Sequence, residues 1–330
     1  MTRFFYGGKY GKYFFSGSDR IDDGEHGITL AVVDQKAIKS RFGCMISCLY
    51  PKNTPYGTHP AHIHKNSEYL VHVGTNNENP FDLGAEVDLR LGKEMERYLI
   101  TSPTVVYVPA GFIHSPWTPK KVWRPFIFMQ VSQPQPDGTY GQEMPEGLPV
   151  SGRQWGDYSF LPVNEDAPYT NPSNGKYGKY VISGPGGPDD GEHGITLVPP
   201  EGREKINGYY GVIMSWLPPK STPYRMHPPH IHTHAEFLIH LGTNPDDPFD
   251  LGAEIELCMG KELEKYIITR PTIVYIPPGF IHSPWIIKKV HRPFIFIQIP
   301  HGKEKGGKYY PQLLPEDQRE VMKYYSHFAP

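Results

Sequence analysis

The 330-residue chain is poor in cysteine, and neither sign of charge is in excess. Its three cysteines, Cys44, Cys48 and Cys258, are odd in number and follow no regular spacing. That argues against a disulfide framework and fits a reducing, cytoplasmic setting. The 33 Lys and Arg nearly balance the 35 Asp and Glu, for a net charge of −2, and no basic run stands out. Nucleic acid is therefore not an expected partner. No apolar stretch approaches the length of a membrane span, so no membrane partner is expected. The opening residues, Met1-Thr2-Arg3-Phe4-Phe5-Tyr6-Gly7-Gly8, lack the apolar segment of a secretion signal.

Turn formers are plentiful. The 36 prolines and 34 glycines, with 13% aromatic residues, describe a turn-rich all-β protein and not a helical bundle. One stretch, Pro315 to Tyr325, reads as a helix. Glu316, Asp317 and Glu320 stand early and Lys323 late, as the helix dipole favours.

The main organising signal is duplication. His62 and His230 are 168 residues apart, and so are His114 and His282. Upstream, Asp22-Asp23-Gly24-Glu25-His26-Gly27 is repeated as Asp189-Asp190-Gly191-Glu192-His193-Gly194 at an offset of 167. Two β domains fused head to tail are the expected arrangement, 1–150 and 171–330. Residues 151–170 form a linker, inside a Pro/Gly/Asn/Asp-dense stretch from Gln133 to Thr170. The Asp-Gly motif reads as a hydrogen-bonded turn at a domain rim, with a place at a pocket mouth as the alternative. Ala85–Leu91 and Glu94–Ile100 are expected to form a hairpin around a two-residue Gly92-Lys93 turn.

Chemistry concentrates in His62-Ile63-His64…Glu68 and Pro109-Ala110-Gly111-Phe112-Ile113-His114, and again in His230-Ile231-His232…Glu236 and Pro277-Pro278-Gly279-Phe280-Ile281-His282. Two histidines separated by one residue share a face of an extended strand. A third imidazole after a Pro/Gly turn and a nearby carboxylate complete a donor set for Fe, Mn, Ni, Co, Cu or Zn. The expected ligands are therefore His62, His64, Glu68 and His114 in one half, and His230, His232, Glu236 and His282 in the other. That gives one divalent transition metal per domain, most simply Fe, Mn, Ni or Zn.

His72 shares the strand face of Glu68, and His240 that of Glu236. They are the candidates for acid–base catalysis, against a role as core histidines. His59 and His227, each followed by proline, read as rim groups beside the metal. Arg124 and Arg292 read as surface ion pairs, with a substrate-carboxylate clamp as the alternative. Tyr107, Trp117, Tyr275 and Trp285 read as packing. The halves diverge where His234 replaces Asn66 and Arg225-Met226 replace Gly57-Thr58.

The paired motifs His-x-His-x-x-x-Glu and Pro-x-Gly-x-x-His resemble those of the cupin superfamily. The resemblance implies a bicupin: two tandem jelly-roll β-barrels, each with a metal, followed here by a short C-terminal helix. It also implies a metal-dependent enzyme acting on a small molecule. The first expectation is a dioxygenase using an enol, catechol-like or dicarbonyl substrate. The alternatives are a non-redox hydrolase, decarboxylase or isomerase working on a carbonyl compound, and a non-catalytic binding cupin. Either a monomer or a homo-oligomer is compatible with the repeat.

Overall fold

The strand Ser67–Gly74 shows how this sequence makes a strand with no wet face. All eight of its residues are buried. Tyr69, Val71 and Val73 join a hydrophobic cluster made by both halves of the chain. Leu70, pointing the other way, belongs to the first barrel's own cluster, which Val181 of the exchanged arm joins. With both faces covered, the strand reads as a near-continuous apolar run. Its counterpart Ala235–Gly242 is likewise buried throughout.

The computed structural model describes residues 4–17, 22, 24–33, 38, 43–133, 155–199, 206, 211–302 and 307–328. Each half is a pair of antiparallel sheets facing one another. In the first, a six-stranded sheet runs Val181–Ser183, Thr104–Val108, Ser67–Gly74, Phe126–Gln133, Cys44–Leu49, Ile28–Val32. It faces a five-stranded sheet ordered Trp155–Asp157, His62–His64, His114–Val122, Ala85–Leu91, Glu96–Ile100. The second half repeats both sheets strand for strand. The two six-stranded sheets lie back to back. Ile46, Val71, Ile127 and Met129 share one cluster with Ile239, Ile273, Ile295 and Ile297. This is the tandem-barrel, all-β architecture that the repeat predicts. Among the described residues, no helix is long and apolar enough to cross a membrane.

The halves are not separable at the linker. Phe14–Phe15, near the start of the chain, pair with Thr272–Ile276 of the second barrel. Val181–Ser183, which open the second copy, pair with Thr104–Val108 of the first barrel. Each barrel therefore closes with a strand from the other copy's leading segment. The aromatics of these arms explain two glycines. Gly92 and Gly260 take φ of +72° and +74°, and a Cβ on either would strike the ring of Tyr177 or Tyr10 respectively, at 2.1 and 2.5 Å. The expected linker also contains a strand, Trp155–Asp157, paired with His62–His64. The boundary at residues 150 and 151 lies outside the described residues.

Two local expectations change in detail. The hairpin turn has four residues, since Leu91 pairs with Glu96. Met95 closes it with an N–H to Gly92 O at 3.1 Å, and its side chain is buried. The C-terminal helix spans Glu316–Phe328 as 3₁₀ turns, broken at Tyr325 with φ −114° and ψ 16°. There the side chain is drawn into the second barrel and is only 6% exposed.

The arm exchange makes a direct prediction. Phe14 is buried in the second barrel's core and stacks on Tyr266 at 4.4 Å. Phe14→Ala should cost about 3 kcal/mol or more of stability, the usual loss for emptying a buried aromatic site. Denaturant unfolding, followed by the tryptophans, measures it. A loss near zero would mean that the arm does not contribute to the second barrel.

Candidate metal centres

The two histidines of the His-x-His strand and the third imidazole meet through strand pairing. His62 lies directly across from His114, and His230 across from His282. The Pro/Gly turn is pinned to the same strand. Gly111, at φ +71°, donates its N–H to His64 O at 2.8 Å, and Gly279 does the same to His232 O at 2.8 Å. Glu68 enters from the facing sheet, on the strand Ser67–Gly74, whose inward face it shares with Leu70 and His72.

The donor atoms converge. His62 Nε2 is 3.0 Å from His64 Nε2, and Glu68 Oε1 is 3.3 Å from His64 Nε2 and 2.8 Å from His114 Nε2. In the second barrel the same three separations are 2.9, 3.3 and 2.8 Å. The other ring nitrogen is also engaged. Nδ1–H of His62 donates to Pro60 O at 2.7 Å and that of His114 to Phe112 O at 3.1 Å. His230 and His282 make the matching bonds to Pro228 O and Phe280 O at 2.9 and 3.1 Å. A proton fixed on Nδ1 leaves the Nε2 lone pair facing the centre, as a metal requires.

The local charges are arranged for a cation. Burial alone would raise the Glu68 carboxyl, but His64 and His114 outweigh it and hold the acid well below its usual range. Glu236 is held down in the same way by His232 and His282. Burial, then the neighbouring imidazoles His114 and His64, push His62 down to about 2, which keeps it neutral. Three imidazoles and one carboxylate anion form each set. The structure thus contains two His/Glu sites fit for a divalent transition metal, one per barrel.

The remaining candidates fall in different places. His72 and His240 are wholly buried and do not line the cavities beside the metal sets. Trp117 Nε1 donates to His72 Nε2 at 2.9 Å, and Trp285 Nε1 to His240 Nε2 at 3.0 Å. Burial pushes both imidazoles down to about 3. They brace the tryptophans, whose rings form a cavity wall. Arg124 and Arg292 make ion pairs of 2.5 Å with Asp82 and Asp250, away from the metal sets.

The cavities bring in residues the sequence reading set at the rim. His26, His59, His62, His114, Trp117 and Phe128 line the first, which holds about 10 Å³ of free space, room for a water-sized group. His59 Nδ1 is 2.6 Å from Glu25 Oε1. The turn also does what was first expected of it, since Gly24 N–H donates to Asp22 Oδ1 at 2.7 Å. Asp23 lies outside the described residues. The second cavity is lined correspondingly by His193, His227, His230, His282, Trp285 and Phe296. The signal for these residues was in the sequence. Glu25-His26 and His59 recur at the repeat offset, as Glu192-His193 and His227.

Two antiparallel barrels, each enclosing a His-x-His…Glu…His set, give this chain the bicupin fold. No family model matches the sequence, and no curated protein does. Solved structures do. A tryptophan-to-tyrosine variant of oxalate decarboxylase from Bacillus subtilis matches with a TM-score of 0.53 at 14% identity, over 95% of this chain and 83% of that one. An arginine-to-alanine variant of the Bacillus subtilis enzyme gives 0.55 at 14% identity with the same coverage. A structure from work on the Mn(II) centres of Bacillus subtilis oxalate decarboxylase gives 0.53 at 14%, again over 95% and 83% of the two chains.

If each set grips one ion, His64→Ala and His232→Ala should each lower bound metal by about one per chain, because each site loses a required donor. Elemental analysis after dialysis against Mn(II) reads the count. Full metal in both variants would refute the ligand assignment.

Proposed function

We propose that the chain is a metal-dependent bicupin enzyme that acts without net oxidation on a small carboxylate-bearing dicarbonyl compound. Decarboxylation is the reaction class. The observation that carries this reading lies in the first barrel, where the metal set meets a Glu–His pair across one small cavity: His62 and His114 share its lining with His59, itself bonded to Glu25. The likeness to oxalate decarboxylase structures, one of them from work on Mn(II) centres, supports the same branch and makes manganese the first metal to try. This places the decarboxylase alternative ahead of the dioxygenase expected from the motifs.

His62, His64, Glu68 and His114 would hold the metal, with His230, His232, Glu236 and His282 as the second set. A divalent ion there supplies a Lewis acid for a carbonyl or carboxylate oxygen. The carbon that loses CO2 must gain a proton, and His59, held by Glu25, takes that proton at Nε2 from the entering acid and returns it to the carbon. Burial, against the pull of Glu25, lowers the His59 pKa, so the ring is neutral at rest and able to accept a proton as well as return one. Glu25 holds Nδ1, which leaves proton exchange to Nε2. Trp117, Phe128 and Leu70 line the same cavity and keep bulk water from the reacting carbon. His72 fixes the Trp117 ring through its indole hydrogen bond, and His240 does so for Trp285; both act as positioning residues.

The test is turnover of oxalate and small 2-oxo acids by the Mn(II)-loaded protein, with CO2 and O2 followed together. CO2 release without net O2 consumption is expected. O2 uptake in step with product would return the dioxygenase reading, and no turnover on the panel would remove the decarboxylase one. His59→Gln should lower kcat by about 10²- to 10⁴-fold, the range of a lost acid–base group. Its metal content should stay at the wild-type value.

A further inference from the structure

We propose that the second barrel holds an additional divalent-cation site, made by Glu192, His193, His227 and Tyr325, beside the His230–His232–Glu236–His282 set. Glu192 Oε1 is the centre of the group. His227 Nδ1 makes a very short contact with it, and His193 Nε2 lies 3.4 Å away. The three ligand atoms of Glu192, His193 and His227 all fall within 4.8 Å of one another. Tyr325 brings a fourth donor, its hydroxyl oxygen, 3.2 Å from His227 Nδ1. Two imidazoles, a carboxylate and a phenol make a mixed N/O set of the kind that takes Zn(II) or a neighbouring transition ion.

The surroundings are built to orient these donors. His193 Nδ1 meets Asp190 Oδ2 at 3.1 Å, which turns Nε2 toward Glu192. A carboxylate behind a ligating imidazole is the usual outer support of a metal site. Asp190 is itself held, accepting the backbone N–H of Glu192 at 2.8 Å and of His193 at 2.7 Å. Trp285 and Phe296 lie nearly parallel to the His193 ring, at 16° and 10°, and fix its plane. Glu192 is only 4% exposed, so its charge needs a counter-ion inside the protein. The position is also useful. His227 and His230 stand with ring centroids 4.6 Å apart, and both sets line one cavity. Two cations there would bracket a single small ligand.

The competing account is a hydrogen-bonded ion-pair network with no metal. Counting bound Zn(II) separates the two. The full-length chain is stripped with chelator, equilibrated with excess Zn(II) by dialysis, and analysed for zinc, with circular dichroism as the fold control. Glu192→Gln should bind one zinc fewer than wild type. His232→Ala should also bind one fewer, and the double variant two fewer. The first barrel is unchanged throughout and cancels in the differences. Tyr325→Phe removes only a hydroxyl; it should weaken one zinc about 10-fold or more and alter the absorption bands of the Co(II)-substituted protein. A wild-type zinc count in a folded Glu192→Gln protein overturns the proposal. If that variant does not fold, an unchanged zinc affinity and Co(II) spectrum in Tyr325→Phe overturns it. The readouts are independent of the proposed reaction, since neither requires turnover.

Discussion

An imidazole can offer Nε2 to a cation only while Nδ1 holds the proton, and in this chain the backbone decides where that proton sits. His62, His114, His230 and His282 each donate Nδ1–H to the carbonyl two residues earlier, from Pro60, Phe112, Pro228 and Phe280. The acceptors lie in the turns that lead into the strands. Turn geometry therefore sets tautomer, ring direction and lone-pair direction together. A distorted turn would misplace the proton as well as the ring, which is why Pro-x-Gly-x-x-His carries chemical information. The glycine serves the same end. Its left-handed φ lets the turn bond back to His64 or His232 and locks the third histidine against the first two.

Such precision needs a rigid mount, and the doubly buried six-stranded sheets supply one. The strand that brings in Glu68 is packed on one side by its own barrel and on the other by the neighbouring copy. It cannot shift register without moving Tyr69, Val71 and Val73 out of the shared core. The exchanged arms add a second coupling, since each barrel is closed by residues that precede the other in the repeat. Neither barrel's stability is independent of the other's.

This explains which features could be read from the sequence. The eight metal donors stood out because their spacing is local: a two-residue strand step, a four-residue step to the glutamate, and a turn of fixed length. The arm exchange could not be read. Tyr10-Gly11-Lys12-Tyr13 and Tyr177-Gly178-Lys179-Tyr180 are the same local sequence, and nothing within either states which barrel it will close. His72 was ambiguous for a related reason. Period-two alternation places it on the inner face with Glu68, but an inner face has depth, and Trp117 fills the space between His72 and the cavity. Glu25 and His59 lie 34 positions apart in the chain. Their recurrence marked them as constrained without showing that they meet.

The duplication also separates what the chemistry fixes from what it leaves open. All eight donors and the backbone bonds around them are kept in both copies, including the N–H of Gly57 or Arg225 to the carbonyl of Gly24 or Gly191. The side chain at that matched position is not kept. Arg225 donates Nη2–H to Asp190 O at 2.6 Å and lies 4.6 Å from the Tyr324 ring, tying the C-terminal segment to the second barrel. His234, which stands where the first copy has Asn66, stacks on His232 at 5.1 Å, and His301 lies edge-on to Phe237 at 4.5 Å. The second centre thus carries extra imidazoles and a tyrosine-bearing cover around an unchanged donor set. Identical ligands in different polar surroundings differ in solvent access and in the protonation of nearby groups. The copies are therefore free to specialise without either losing its metal.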